Sequence, residues 1–265
     1  MSRRILLLDA GNTRLKWAVL DTALSSPDIP QPGMAGQLES IHWLDQGAAP
    51  YDSISDLPAL WQKFGALTAC YGVNVAGIAA RASLQPLLAS IKLKSVWLHA
   101  SLRACGVENK YEPPESLGAD RWAALLAVRQ RTSDAALVVS AGSALTVDAL
   151  NADGQFLGGI IVPGLHIMRQ GLAGTTAQVG TQYGKVLAFP NTTADAVETG
   201  LVTACTAAIE NMSKRVERTC GAQPRVFLSG GDADILKPFL SVPCSIIPTL
   251  VLEGVYYLSL EEQLT

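Results

Sequence analysis

The segment LLLDAGNTRLKWAVL at residues 6–20 recurs in altered form as LVVSAGSALTVDAL at residues 137–150, and this repeat is the main evidence for the fold. Each copy runs from an apolar strand through a small residue and a glycine to a hydroxyl or amide side chain, and then into a second apolar run. Two apolar runs around a short glycine-containing turn predict a β-hairpin. Asp9 ends the first strand of the first copy, whereas Ser140 holds the matching position in the second.

Mixed strand and helix patterns follow each hairpin, so we predict a duplicated α/β architecture. Residues 22–40 are rich in Pro, Ser and Gly and predict an exposed excursion. The segment GVENKYEPPESLGADRW, residues 106–122, interrupts the pattern with two adjacent prolines. We therefore expect it to cross between two domains, residues 1–117 and 118–265, with the final helix free to pack back on the first.

The composition excludes several classes of protein. A net charge of −3 with scattered Lys and Arg argues against a nucleic-acid partner. No apolar run approaches the roughly 18 residues that a membrane span needs, and the run before Asp9 is too short for a signal peptide. The five cysteines contain no C-x-x-C pattern, so neither a disulfide framework nor a structural zinc site is indicated. We expect a cytoplasmic protein with no membrane partner.

The turn of the first hairpin has the chemistry of a phosphate site. Gly11 lets a phosphate approach the backbone, and Asn12 and Thr13 can donate hydrogen bonds to its oxygens. Asp9 can hold Mg²⁺ through water, since this ion prefers carboxylate oxygen and keeps several waters. Lys16 on the outgoing strand can offset phosphate charge. The alternative is an ordinary turn with an Asx hydrogen bond.

Two phosphate-facing hairpins, one in each half, resemble the arrangement of the acetate and sugar kinase, Hsp70 and actin superfamily. Within it, motifs in a fixed order across residues 5–257 resemble the type III pantothenate kinases, a family that includes Bvg accessory factor-like proteins. The motifs are DAGNTRLKW (9–17), GADRW (118–122), GSALTVDALNADGQFLGGIIVPG (142–164), NTTADAVETG (191–200) and LSGGDADIL (228–236).

The resemblance implies two ribonuclease H-like domains with a nucleotide cleft between them, and a homodimer. It also implies ATP- and Mg²⁺-dependent phosphorylation of pantothenate to 4′-phosphopantothenate, the first step of coenzyme A biosynthesis. The family's catalytic carboxylate corresponds to Asp120. Its nucleotide-binding positions correspond to Asp9, Ala10, Gly11, Asn12, Thr13, Arg14, Leu15, Lys16 and Ser143. Its substrate-binding positions correspond to Tyr111, Gly118, Ala119, Asp120, Arg121 and Thr193.

Each of these residue types also has a plainer interpretation. Asp120 would accept the proton of the attacking hydroxyl, but an acid near a helix start is also stabilised by the exposed N–H groups. Arg121 would bind the pantothenate carboxylate or form a surface ion pair. Tyr111 would line the substrate pocket or serve only packing. Thr193 would bind substrate or cap the helix that begins near it.

Ser140 departs from the family pattern. The family typically has an aspartate here that helps bind a monovalent cation, K⁺ or NH₄⁺, near the phosphates. A serine hydroxyl brings no negative charge, so the departure puts this cation site in doubt. Three outcomes stay open: other oxygens hold the cation, the cation is unnecessary, or the kinase is weak or inactive.

Two further functions compete with the pantothenate kinase. The first is a non-catalytic, nucleotide-binding regulatory or accessory protein of the same fold, which Ser140 favours. The second is a kinase of the superfamily that acts on a different small alcohol. The match around GADRW, residues 118–122, argues against the second.

Overall fold

A computed structural model describes residues 3–24, 41–175 and 182–262. The predicted excursion at 22–40 lies mostly outside them. The strands are β1 (Arg4–Ala10), β2 (Arg14–Asp21), β3 (Trp43–Pro50), β4 (Leu67–Asn74), β5 (Ser95–Trp97), β6 (Arg103–Ala104), β7 (Val107–Asn109), β8 (Ala136–Ala141), β9 (Ala144–Leu150), β10 (Gln155–Pro163), β11 (Arg225–Ser229) and β12 (Cys244–Ile246). The helices are α1 (Leu57–Gln62), α2 (Gly77–Ser90), α3 (Ala119–Arg131), α4 (Leu165–Thr175), α5 (Thr193–Cys220), α6 (Ala233–Leu236) and α7 (Leu250–Glu262).

The chain divides into two compact units. The first contains the described residues of Met1–Ser133, Gly154–Phe156 and Thr249–Thr265, and the second contains those of Asp134–Asp153 and Leu157–Pro248. The sequence prediction places the division between residues 117 and 118 instead. The first unit extends to Ser133 because α3 packs along α7, the final helix, which belongs to the same unit.

The first unit is built on a sheet with strand order β3-β2-β1-β4-β5. Strand β1 is central, antiparallel to β2 and parallel to β4. Its residues from Ile5 to Ala10 are buried, as expected for a continuous apolar run covered on both faces. Leu6 and Leu8 pack in one core cluster with Trp61 of α1 and Leu84 of α2.

Helix α7 completes this unit. Apart from Glu253 and Ser259, the sequence LVLEGVYYLSL is apolar on every face, which is typical of a buried helix. Residues Leu250–Ser259 are buried, and α7 contacts α3 and β1. A Cβ atom added to Gly254 would overlap the carbonyl oxygen of Ala123. Only glycine lets the two helices approach this closely.

The second unit repeats the topology of the first. Five strands follow the order β12-β11-β8-β9-β10 within a seven-stranded sheet, and β8 is antiparallel to β9 and parallel to β11. The two hairpins, β1–β2 and β8–β9, therefore hold the same place in their sheets. Leu137 and Val139 of β8 pack with Leu201 and Ile209 of α5 in one core. The duplicated ribonuclease H-like fold class that the sequence predicts is confirmed.

One strand was not predicted from the sequence, and one local prediction needs correction. The stretch Trp43–Pro50 forms β3, which pairs with β2 and extends the first hairpin into three strands. Its sequence WLDQGAAP lacks the β-branched residues that signal a strand. At the start of α5 the cap is Thr192, whose hydroxyl accepts a hydrogen bond from the Asp195 N–H at 3.2 Å. Thr193 is the first residue inside the helix, so the cap interpretation of Thr193 is wrong.

Candidate active site

The turn of the first hairpin, residues 11–13, is exposed at the end of a buried pair of strands. Ala10 and Leu15 are buried in the core, so only their backbone can reach a nucleotide. Asn12 and Thr13 are exposed at the tip, followed by Arg14. The turn therefore presents backbone, amide, hydroxyl and guanidinium groups together.

Tyr51 holds this turn from outside the hairpin. Its hydroxyl donates a hydrogen bond to the carbonyl oxygen of Gly11 at 2.9 Å. Burial and the charge of Asp9 raise the pKa of Tyr51 to about 12, so the phenol stays a hydrogen-bond donor at neutral pH. Sequence reasoning missed this residue because it follows β3, which was also missed.

Asp9 is a buried carboxylate that points toward a basic side chain. It lies opposite Lys16 in the β1–β2 register, and the Lys16 Nζ is 3.8 Å from its Oδ2. The pKa of Asp9 is raised to about 6 overall: burial raises it most, the Lys16 ammonium lowers it, and the charge of Asp120 raises it. Asp9, Lys16 and Asp120 therefore form one electrostatic group in the first unit.

Asp120 lies in the first turn of α3, as the sequence predicts for GADRW. Its Oδ1 accepts a hydrogen bond from the Arg121 N–H at 2.8 Å, which is the helix-start contact that the plainer interpretation expects. Burial raises the pKa of Asp120 above its ordinary value. A Cβ atom at Gly118 would lie 2.8 Å from the same Oδ1, closer than a real Cβ contact. Gly118 thus leaves the space that this carboxylate occupies.

Arg121 is buried against two aromatic rings, which excludes the surface ion pair considered from the sequence. Its guanidinium carbon lies 5.5 Å from the ring centroid of Tyr111 and 5.9 Å from that of Phe156. The two rings stack at 5.9 Å with an interplanar angle of 22°. Tyr111 is oriented by Asn109, whose side-chain oxygen accepts from the Tyr111 N–H at 3.0 Å.

Phe156 was missed by the sequence analysis. It comes after the second hairpin in sequence, yet its backbone pairs with Asn109 of β7 in the first unit. No periodicity could place it beside Arg121, because the pairing joins segments 47 residues apart, such as Gln155 and Glu108.

The turn of the second hairpin, Gly142–Ser143, is surrounded by glycine backbone. The Ser143 carbonyl accepts a hydrogen bond from the Gly164 N–H at 2.9 Å, at the start of α4. A Cβ atom on Gly164 would overlap the carbonyl of Gly142, and one on Gly230 would overlap that of Ala141. This packing requires a glycine at position 230.

Ser140 lies beside two other hydroxyl residues in the second unit. It pairs with Thr146 of β9 and with Ser229 of β11, and paired residues of neighbouring strands project from the same face. Asp148 follows Thr146 by two residues, so it projects from that face as well, and it is buried. Sequence reasoning missed Asp148. The face of the sheet that contains Ser140 therefore also contains a carboxylate, that of Asp148.

Thr193 lies in the second unit, exposed in the first turn of α5. Because the hydroxyl of Thr193 does not cap the helix, it can form a hydrogen bond to a ligand. Ser143, Thr193 and Ser140 belong to the second unit, whereas Asp9, Lys16, Tyr111, Asp120 and Arg121 belong to the first.

The model of one protein family matches residues 5–215, and that family is described as type III pantothenate kinase. The chain belongs to the type III pantothenate kinase family. A relative of that name from Aromatoleum aromaticum is 39% identical over 97% of this chain and 98% of its own. Another, from Thiobacillus denitrificans, is 39% identical over 96% of both chains. The family that the sequence motifs predict is confirmed.

Among solved structures, this type III pantothenate kinase family member is similar to a Baf family protein from Campylobacter jejuni. The TM-score is 0.58 at 20% identity, over 98% of this chain and 100% of that one. A likeness at this identity shows the fold alone, and that fold is the actin-like ATPase fold. No helix in the described part of the chain combines the length and the apolarity that crossing a membrane requires.

Proposed function

We propose that the protein transfers the γ-phosphoryl group of ATP to the primary hydroxyl of pantothenate, giving 4′-phosphopantothenate. The family membership supports the reaction. The grouping of Asp9, Lys16 and Asp120 is the observation that carries it, because it combines a buried carboxylate, a cation and a base within one unit. Phosphoryl transfer needs such positioning and charge neutralisation more than covalent help.

Asp120 acts as the general base. The hydroxyl proton passes to its carboxylate while the hydroxyl oxygen bonds to the γ-phosphorus and the bond to the leaving ADP oxygen breaks. Burial raises the pKa of Asp120, which makes its carboxylate a stronger base than an exposed one. The hydrogen bond from the Arg121 N–H orients the acceptor, and Gly118 leaves room for it.

Arg121 binds the carboxylate of pantothenate. A buried guanidinium requires compensation of its charge, and the faces of Tyr111 and Phe156 supply part of it through cation–π contact. A guanidinium also matches the geometry of a carboxylate, which it can bind through two parallel hydrogen bonds. The exposed hydroxyl of Thr193 provides a further substrate contact, as the resemblance to the family implies.

The turn at residues 11–13 and Lys16 bind the phosphates of ATP, and Ser143 supplies a second nucleotide contact. Asp9 fits a magnesium site, because a cation nearby would stabilise the ionised form of a carboxylate whose pKa burial has raised. No three His, Cys, Asp or Glu side chains cluster as a metal cage within the described residues. Mg²⁺ bound through water at Asp9 and by phosphate oxygens would neutralise phosphate charge.

We further propose that the protein is a cytoplasmic homodimer. The second unit exposes large apolar side chains on β10 and α4, where Leu157, Ile161 and Ile167 are 41%, 59% and 47% exposed. Leu157 and Ile161 share one face of β10, since side chains alternate along a strand. Such a grouping of exposed apolar residues is typical of a surface that a second copy covers.

An ADP-release assay tests the activity. Pantothenate with ATP and Mg²⁺ is expected to release ADP, whereas glucose, glycerol and acetate are expected to give only background hydrolysis. Release with another alcohol instead would support the alternative kinase. No release with any acceptor, together with retained nucleotide binding, would support the accessory protein.

A further inference from the structure

A groove in the first unit lies outside the candidate active site. It runs between α2 and β5, with a cavity volume of about 610 Å³. This volume is within the range of small-molecule sites, roughly 300–1,000 Å³. We call it the α2–β5 groove. The residues that line it include Arg81, Leu88, Lys92, Leu93, Lys94 and Trp97.

Two elements build the groove with regular spacing. Arg81 and Leu88 lie seven positions apart, which places them on one face of α2. Lys92 follows the C-terminal end of the helix. Within the described residues, strand β5 is the outer strand of its sheet, and Trp97 at its end is half-buried. Leu88 and Leu93 are 2% and 6% exposed and form the apolar floor.

The strand directions set the groove apart from the turn at Asp9. Strands β1, β4 and β5 are parallel, and Asp9 pairs with Val73 near the carboxyl end of β4. Ser95 pairs with Cys70 three positions earlier, so Lys94 lies toward the amino ends. Helix α2 runs back from the carboxyl end of β4 to the amino end of β5, as the crossover between parallel strands requires.

The basic side chains of the groove are therefore divided between its two ends. Arg81, early in α2, lies toward the same end as Trp97. Lys92 and Lys94 lie at the opposite end, on either side of the turn from helix to strand. The backbone φ of Lys92 is 58°, so the chain reverses sharply between them. Lys94 and Trp97 are three positions apart, which corresponds to about 10 Å along an extended chain.

The charges of the groove favour an anion. Its lining contains three basic side chains and no carboxylate, although the whole chain has a net charge of −3. We propose that the α2–β5 groove binds an aromatic phosphate monoester of the size of a nucleoside monophosphate. The ring packs between Trp97 and the guanidinium of Arg81, and the phosphate lies between Lys92 and Lys94.

Fluorine NMR of the full chain labelled with 5-fluorotryptophan tests this site. The chain has five tryptophans, and loss of one signal in Trp97→Phe identifies the Trp97 resonance. The probe is 1-naphthyl phosphate, which lacks the ribose and triphosphate of ATP. We expect a saturable shift of the Trp97 resonance, and at least a tenfold weaker affinity in the Lys92→Glu/Lys94→Glu double variant.

The matched control is Lys63→Glu, which reverses an exposed charge at the end of α1 in the same unit. It is expected to keep the affinity of the unchanged protein. If the double variant does not fold, Lys94→Glu alone is used, with a smaller expected loss. An unmoved Trp97 resonance, an equal loss in Lys63→Glu, or equal affinity for uncharged 1-naphthol would each overturn the proposal.

Discussion

The Nζ atom of Lys16 lies 3.8 Å from Oδ2 of Asp9, and yet the pKa of Asp9 is raised to about 6. Burial therefore outweighs the attraction of the lysine, and the charge of Asp120 adds to the effect of burial. The fold keeps an aspartate where its ionised form is unfavourable without a further cation. A bound cation would favour the ionised form, which agrees with the proposed magnesium site at Asp9.

Replacing Asp9 with Asn should stabilise the protein when no nucleotide is bound. A folded-state pKa above the unfolded value means that ionisation costs stability as the pH rises from about 4 to about 6. Above pH 6 the full cost is present, about 3 kcal/mol for a shift of this size. We expect Asp9→Asn to raise the free energy of unfolding by up to that amount at pH 7.5, and by almost nothing at pH 4.

Urea unfolding at the two pH values measures the effect of Asp9→Asn, and the protein at pH 4 serves as its own control. The same variant should lose kinase activity because it no longer attracts Mg²⁺. A stability gain of equal size at both pH values would show that ionisation of Asp9 is not its cause.

Replacing Asp120 with Asn should remove the proposed general base and keep the shape of the side chain. We expect kcat to fall by about 10²–10⁴-fold, with little change in the KM for ATP. Glu115→Gln is the control, because this exposed acid lies on the same loop before α3. A loss in Glu115→Gln as large as that in Asp120→Asn would remove the special role of Asp120.

Replacing Gly118 with Ala should disturb the position of the same carboxylate. The backbone at Gly118, with φ −54° and ψ 130°, accepts alanine without strain. The new methyl group would meet Oδ1 of Asp120 at 2.8 Å and displace it, which we expect to lower kcat roughly 10²-fold. Gly200→Ala is the control, since a Cβ there meets nothing within 4 Å. If both variants keep full kcat, the space at Gly118 has no catalytic role.

Replacing Ser140 with Asp should restore a charge beside Thr146 and Ser229 in the second unit. We expect the unchanged protein to turn over with little preference between Na⁺, K⁺ and NH₄⁺ buffers, because three neutral hydroxyls bind a cation weakly. Ser140→Asp should then prefer K⁺ or NH₄⁺. A strong potassium requirement in the unchanged protein would mean that nearby oxygens, such as those of Asp148, already complete the site.

Replacing Ile161 with Asp should separate the proposed dimer. Ile161 is 59% exposed on β10, and a charge there would have to be buried against the second copy. Light scattering after size exclusion is expected to give the mass of two chains for the unchanged protein and of one chain for Ile161→Asp. Ile78→Asp, at an 89% exposed apolar site on α2, is expected to remain a dimer. A monomeric unchanged protein would contradict the proposal outright.

The sequence alone determined the two hairpins, the family and the chemistry of the turn at residues 11–13. These features depend on residues close together in the chain: an apolar run, a glycine turn and a second run around Asp9 or Ser140. The start of α3 at Asp120 was predictable for the same reason. Local periodicity and turn chemistry carry such information, because the residues within a short segment determine whether it forms a strand, a turn or a helix.

Only the tertiary structure decided that Asp9 and Asp120 influence each other, that Tyr51 holds the turn, and that Phe156 stacks against Tyr111 beside Arg121. It also decided that Thr192 caps α5 in place of Thr193. These relationships join segments far apart in the chain or depend on the choice between neighbours of the same type. The burial that raises the pKa of Asp9 comes from strands and helices packed around it, and no single stretch of sequence contains that packing.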